Sequence, residues 1–183
     1  AMMVEDVGLT FSVAFVPGFC AALLAYGISL ACGIAPTRFA LSIVPELGVV
    51  TALQVALLGV ACAAVTRLFC LLLHTTEHQL PKRMPNPWVR VFVGGVVVVA
   101  LSYLMGVGRY NGAGMGVITA AVEQGQALPW DFACKAILTA ITLASGFKGG
   151  EVVPSFYIGA TFGCMFGPLL GLPAGFGAAV GMV

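Results

Sequence analysis

Residues 91–108 read VFVGGVVVVALSYLMGVG, a run with no charged side chain. Polar and apolar residues do not alternate along it, so it lacks the pattern of a strand in a membrane barrel. Inside a bilayer every backbone amide and carbonyl must be hydrogen-bonded within the fold, and a helix achieves this by itself. The run therefore predicts a helix that crosses a lipid bilayer.

The rest of the chain has the same character. Of its 183 residues, 60% are hydrophobic and 8% are charged, whereas soluble domains average about 25% charged. Residues 7–37 and 152–183 also carry no charge, and each exceeds the roughly 20 residues that a spanning helix needs. We predict an all-α, polytopic membrane protein. A net charge of +1 provides no basic face for nucleic acid.

The residue types that carry enzymatic or metal chemistry form no clear site. No nucleophile with a base, carboxylate pair or phosphate loop is visible, so we expect neither an enzyme nor a cofactor. His74 and His78 are four residues apart and could bind zinc, but without a third ligand we favour a helix end that emerges into water. We interpret the cysteines as small buried hydrophobic residues without disulfides: Cys20, Cys32, Cys62, Cys70, Cys134 and Cys164.

Long helices are expected within the uncharged run 91–108 and in the part of the chain that precedes it. We predict helices over about 9–33, kinked at Pro17, over about 46–79, and over about 88–105. A proline-containing break separates the first two, and the second is closed by Pro81, Pro85 and Pro87. The positive-inside rule places the connection after the second helix in the cytoplasm, because it carries Lys82, Arg83 and Arg90.

After residue 105 the pattern becomes broken. Residues 106–116 contain five glycines, followed by a short apolar segment to about Val122, a polar loop and a helix over about 130–145. Arg109 and Asn111 could be functional here, but we favour Arg109 at the membrane interface and Asn111 in a turn. Asp131 is expected in a first helical turn, where its charge complements the helix dipole. Short, interrupted helices at membrane depth typically form ion sites.

Glycines recur every four residues near the C-terminus, at positions 159, 163, 167, 171 and 175. The first three share one helix face and would let a neighbouring backbone approach closely. Pro168 and Pro173 are expected to end that helix near Leu170. A final apolar segment begins at about Pro173.

The segment between these helices has the chemistry of an anion site. Pro154 is typical of a first helical turn, which leaves the amides around Glu151, Val152 and Val153 unpaired at the positive end of a helix dipole. The preceding glycines let a ligand approach the backbone. Such a site binds an anion without a full positive charge. A plain loop between packed helices is the alternative.

Gly150-Glu151-Val152-Val153-Pro154, followed by Phe156 and Ile158-Gly159-Ala160-Thr161, resembles a selectivity-filter motif of the CLC family of chloride channels and proton-coupled anion antiporters. Asn111-Gly112-Ala113-Gly114 resembles that family's glycine-rich segment, and the order of elements agrees along nearly the whole chain. The string from Gly146 to Val152 is closest to the fluoride-exporting branch, which usually has threonine where Val153 stands.

The resemblance implies part of an inverted-repeat fold. The chain would be a single partial transmembrane domain, with the last helix of the first repeat over about 9–33 and the second repeat over about 46–183. It implies that the amides of Glu151 and Val152 contact the anion and that Phe156 or Tyr157 lines its path. The full implied set is Gly150, Glu151, Val152, Val153, Pro154, Phe156 and Tyr157.

Two neighbouring charges admit more than one role. Glu151 could carry protons, or it could point to the protein interior or a watery vestibule. Lys148 could reach an interface or pair with Glu151, and could raise the local anion concentration. The gating glutamate belongs before residue 1 and an inner tyrosine after residue 183. The inner proton-pathway glutamate would align near Met3, with Glu5 close.

Three functional hypotheses follow. The first is a proton-coupled fluoride or chloride antiporter, or a chloride channel, that is homodimeric and multi-pass in the inner or plasma membrane. The second is a non-conducting fragment of such a protein. The third is another transporter with a similar discontinuous helix.

Overall fold

The computed structural model describes residues 11–33, 39–41, 43–46, 48–106 and 108–183, with side chains from Val16 onward. The expectations for Met3, Glu5 and the break at Pro36 and Arg38 lie outside these residues. The α-helices are Phe11–Ala31 (α1), Val49–Arg83 (α2), Pro87–Met105 (α3), Met115–Thr119 (α4), Asp131–Ala144 (α5), Val152–Phe166 (α6) and Ala174–Met182 (α7). No strand occurs in the described ranges, which confirms the all-α prediction.

The chain divides into two compact units, Ala1–Arg38 and Phe39–Val183. The first unit contains α1, an apolar helix of 21 residues with Pro17 inside it. The second contains all the other helices. Among its described residues, three stretches are long and apolar enough to cross a membrane: Val49–Arg83, Pro87–Met105 and Val152–Leu170.

Helix α2 has 35 residues and runs through Pro81. The prediction that this proline closes the helix is therefore wrong by about a turn. Pro81 has no amide hydrogen to donate to the Glu77 carbonyl, but the helix continues past it, and the amide of Met84 donates to the carbonyl of Leu80 at 2.9 Å. Helix α3 begins at Pro87, and the side chain of Asn86 caps it by accepting from the Trp88 amide at 3.1 Å.

The broken region is more helical than expected. Gly114, with φ of +67°, begins the five-residue helix α4, which continues as a π-helix over Ala120–Gln124. Glu123 was expected in a loop but belongs to this π-helix. Its carboxylate accepts from the Ala40 amide at 3.1 Å.

Glycines bring α6 and α7 into backbone contact. A Cβ atom added at Gly159 would collide with the carbonyl of Gly181, and one added at Gly163 would collide with the carbonyl of Gly177. The predicted close approach on this glycine face is confirmed. A buried hydrophobic cluster of Phe69, Leu73, Ala140 and Ile158 joins α2 and α5 to α6.

The cysteines do not match their predicted burial. Cys164 is buried, whereas Cys20, Cys32 and Cys70 are exposed, and all six thiols are free. An apolar run fixes the burial of a residue only where the helix is surrounded by protein. On a membrane helix the outer face is equally apolar because it contacts lipid, so the sequence pattern does not separate the two faces.

Candidate functional site

Helix α6 begins with amides that no side chain caps. Its first residue is Val152, preceded by Glu151 with φ of −89° and ψ of −18°. The amide of Ser155 donates to the Glu151 carbonyl at 3.0 Å, and Pro154 has no amide hydrogen. The amides of Val152 and Val153 precede this bond, at the positions that lack an intrahelical acceptor. The helix thus starts two residues before Pro154, which lies in its first turn as predicted.

The glycines that precede α6 leave open space next to the backbone at its N-terminus. Gly146 turns the chain with φ of +103°, and Gly149 and Gly150 are exposed. A Cβ atom on Gly150 would meet no atom within 4 Å, whereas one on Gly149 would lie 3.3 Å from the Leu143 side chain. A small ligand could therefore reach the backbone at Gly150 without displacing any described atom.

The two aromatic candidates point to different environments. Phe156 is 41% exposed and lines a groove of about 380 Å³ between α2, α6 and the end of α7. Tyr157 is fully buried, and its ring lies against Gly114 and 6.4 Å from the ring of Tyr110. The Tyr157 hydroxyl is buried without a hydrogen-bond partner among the described residues. Only Phe156 shares the exposure of Glu151, Val152 and Val153.

Lys148 and Glu151 are both exposed and do not form the ion pair considered above. Within the part of the chain that the structure describes, the ion pair found joins Arg109 to Asp131. Two charged side chains therefore flank the free amides without neutralising each other at salt-bridge distance.

Asp131, the first residue of α5, is the centre of a polar network that sequence reasoning missed. Its fully buried carboxylate accepts from Arg109 Nε at 3.1 Å and Nη2 at 2.6 Å, from the Tyr110 hydroxyl at 2.7 Å, and from the Leu128 amide at 2.9 Å. Arg109 is thus held by a carboxylate as well as being partly exposed, and Asp131 does more than complement a helix dipole.

These bonds determine the charge states of the pair. Burial alone would raise the pKa of Asp131, but the hydrogen bonds from Arg109, Tyr110 and Leu128 hold that pKa below its usual range. The hydrogen bond to Asp131 raises the pKa of Arg109, against a smaller opposing effect of burial. Both groups are therefore ionised at neutral pH.

Lys135 lies one turn further along α5 and is 4% exposed. Its ammonium donates to the carbonyls of Tyr110 at 2.7 Å and Gly112 at 2.6 Å, and lies 5.2 Å from the centre of the Tyr157 ring. Burial lowers the pKa of Lys135, while the two short hydrogen bonds favour the ammonium. A lysine inside the apolar string FACKAILTAITLA was the signal available in the sequence, because such a charge is costly and often functional.

The network also shapes the glycine-rich segment. Lys135 and Asp131 both bind Tyr110, and the Ser102 hydroxyl donates to the Asn111 side chain at 2.9 Å. A Cβ atom on Gly114 would lie 2.5 Å from the Tyr157 ring. The segment therefore joins α5 to the second turn of α6, close to the exposed amides.

The histidine pair does not become a metal site in the described residues. The rings of His74 and His78 stack with centroids 6.4 Å apart, and Lys82 Nζ lies 2.8 Å from His78 Nε2. No group of three histidine, cysteine, aspartate or glutamate residues that could bind a metal occurs in the part of the chain that was searched.

Spanning helices and a broken helical region are typical of a polytopic membrane protein, a class in which discontinuous helices often form ion sites. The family model described as "Voltage gated chloride channel" matches residues 1–183. The chain belongs to this family, the CLC family, and the predicted resemblance is confirmed.

Two relatives place the chain more closely. It is 31% identical over 176 residues to the "Chloride/fluoride channel protein" of Pseudomonas syringae pv. tomato, covering 93% of this chain and 39% of that protein. It also matches the crystal structure of a CLC-type fluoride/proton antiporter with a TM-score of 0.84 and 32% identity, covering 96% of this chain and 45% of that one. The chain therefore spans less than half the length of either relative.

Proposed function

We propose that this chain forms part of a transporter of fluoride or chloride in the cell membrane, and that the anion binds to the amides at the start of α6. The observation that carries the proposal is the uncapped helix start at Val152, directly after the unobstructed backbone of Gly150. A helix N-terminus attracts an anion through its dipole and its free amides.

The arrangement suits transport better than tight binding. The anion would be bound by the partial positive charges of the backbone amides. Such a site requires neither a cationic side chain nor a metal ion in contact with the anion. Phe156 would line the path, because it shares the exposed side of the helix with Val152 and Val153. Tyr157 would support the site from inside the protein.

Proton coupling is part of the same proposal. Glu151 is exposed beside the free amides, where a carboxylate would compete with an anion for the same positive potential. Protonation of Glu151 would remove that competition, which would couple anion binding to a proton. The alternative is that Glu151 faces a watery vestibule and has no role in coupling.

Either fluoride or chloride fits these donors. The structural relative is described as a fluoride/proton antiporter and the P. syringae relative as a chloride/fluoride channel protein. Both descriptions support a halide substrate for the complete protein, which we propose is a homodimer with one anion path in each subunit.

The proposal is tested with the complete protein that contains this chain, reconstituted in liposomes loaded with fluoride or chloride. Ion-selective electrodes measure release. We expect release from wild type and its loss in Gly150→Leu, because a side chain at this position would occupy the space of the anion. Gly116→Leu is the control, since a Cβ atom there also meets open space.

Wild-type protein that releases neither halide would overturn the proposal. Equal release by wild type and Gly150→Leu would also remove this site from the anion path. The non-conducting hypothesis is tested by reconstituting the 183-residue chain alone, for which we expect no release because the relatives contribute more than half of their length from outside the matched region.

A further inference from the structure

Two cations lie in the network beside α6, the partly exposed Arg109 and the buried Lys135, and their charges are matched differently. Arg109 forms a two-point ion pair with the buried carboxylate of Asp131. Lys135 donates to two backbone carbonyls, and it forms no ion pair with any described carboxylate. The positive charge of Arg109 is therefore largely cancelled locally, while that of Lys135 is not.

Lys135 is close to the anion-binding helix. Its ammonium lies 5.2 Å from the centre of the Tyr157 ring. Tyr157 follows Val153 by four residues, about 6 Å of helix rise. The ammonium is thus on the order of 10 Å from the free amides. The intervening Tyr157 is fully buried, whereas Val152 and Val153 are about half exposed, so water screens the interaction in part.

We infer that Lys135 is an affinity-determining residue of the anion site, and that its uncancelled positive charge strengthens anion binding at the start of α6 without contacting the anion. The inference rests on the proposed function. The charge of Lys135, separated from the amides by Tyr157, makes the electrostatic potential at the site more positive. The anion itself contacts only neutral amides, from which it can dissociate.

The size of the effect follows from Coulomb's law. For unit charges about 10 Å apart at an effective dielectric constant of roughly 20 to 40, removal of the lysine charge weakens anion binding by about four- to fifteen-fold. A change of this size is readily measured as a shift in the half-saturating anion concentration.

The network offers variants for which electrostatics and structure predict different results. Lys135→Gln and Asp131→Asn each remove a charge from the same hydrogen-bond network. If the network acts only as a scaffold, both variants weaken anion binding. If its charge sets the affinity, Lys135→Gln weakens binding and Asp131→Asn strengthens it, because Arg109 then becomes a second uncancelled cation.

The experiment measures the half-saturating concentration and the maximal rate of halide transport separately, with the complete protein in liposomes. We expect a four- to fifteen-fold higher half-saturating concentration for Lys135→Gln, a lower one for Asp131→Asn, and values near wild type for Lys135→Arg. Arg109→Gln leaves the negative charge of Asp131 without a partner and should raise the half-saturating concentration as Lys135→Gln does. This variant serves as the test if Lys135→Gln does not fold.

Shifts of Lys135→Gln and Asp131→Asn in the same direction would overturn the inference, as would failure of Lys135→Arg to restore the affinity. These outcomes would leave the proposed function intact as long as wild type transports halide and Gly150→Leu does not. Wild-type protein without halide transport would instead overturn the proposed function.

Discussion

Helices α5 and α6 pack against each other through Ala140 and Ile158 but treat their N-termini in opposite ways. At α5 a buried carboxylate, Asp131, receives the Leu128 amide together with an arginine and a tyrosine hydroxyl. At α6 no side chain caps the helix, and Val152 and Val153 are 48% and 42% exposed. The first helix start is satisfied within the protein, whereas the second remains available to a ligand.

The difference predicts that a helix dipole alone is not sufficient for the proposed anion site. Both helices have one, but only the second combines free amides with open backbone before it. If this comparison is right, a carboxylate introduced at the start of α6 should abolish anion transport. Removal of the carboxylate at the start of α5 should mainly lower the stability of the fold.

The largest effect is expected when α6 receives its own carboxylate. Val153→Asp would place a negative charge at the free amides and should lower anion transport by roughly a hundredfold or more, because like charges about 4 Å apart repel strongly away from bulk water. Halide efflux from liposomes measures this. Val153→Asn, of the same size but neutral, is the control and should retain more transport. Unchanged efflux in Val153→Asp would show that these amides do not bind the anion.

The converse change removes the carboxylate from α5. Asp131→Ala leaves Arg109, the Tyr110 hydroxyl and the Leu128 amide without their acceptor and should destabilise the protein by about 3 kcal/mol, the lower part of the range for broken buried ion pairs because Arg109 is partly exposed. Thermal unfolding in detergent measures the loss. Glu151→Ala, at the exposed start of α6, should change the melting temperature little. Equal losses would contradict the contrast between the two helix starts.

An uncapped helix needs another source of stability, and α6 has its glycine contact with α7. Gly163→Ala should cost about 1–3 kcal/mol, because its Cβ atom would meet the Gly177 carbonyl. Gly116→Ala, in open space within a helix, should be neutral or stabilising by up to about 1 kcal/mol. Chemical or thermal denaturation compares them. If Gly163→Ala is as stable as wild type, the close packing does not hold α6 in place.

The smallest expected effect concerns pH. The folded-state pKa of Asp131 is lowered, so its contribution to stability is fully present above the ordinary carboxyl pKa of about 3.9 and is lost as pH falls through the lower folded value. Melting temperatures of wild type and Asp131→Asn, recorded between pH 7 and pH 3, should differ at neutral pH, and the difference should begin to shrink below about pH 4. A constant difference across this range would show that the carboxylate does not titrate with folding.

The sequence was sufficient for the class of fold and for the start of α6. Uncharged runs predict spanning helices, and glycine followed by proline identifies an open helix start, because both signals are local. The network around Asp131 was not predictable in the same way, since Arg109 and Asp131 are 22 residues apart and their contact depends on how the glycine-rich segment folds back onto α5. Likewise, Phe156 and Tyr157 are adjacent in sequence, and only the packing of Gly114 shows which of them is buried.

The length of α2 has a consequence for the surrounding lipid. Its hydrophobic part, Val49 to Leu73, contains a single charge, Arg67, and is about 25 residues and so about 37 Å long, whereas the hydrocarbon core of a bilayer is about 30 Å thick. To keep this part within the core the helix would tilt by roughly 35–40°, at the upper end of the usual range. In bilayers with longer acyl chains the helix would tilt less. The tilt angle of α2 should therefore respond to membrane thickness, and so should the contacts that its residues Phe69 and Leu73 make with α5 and α6.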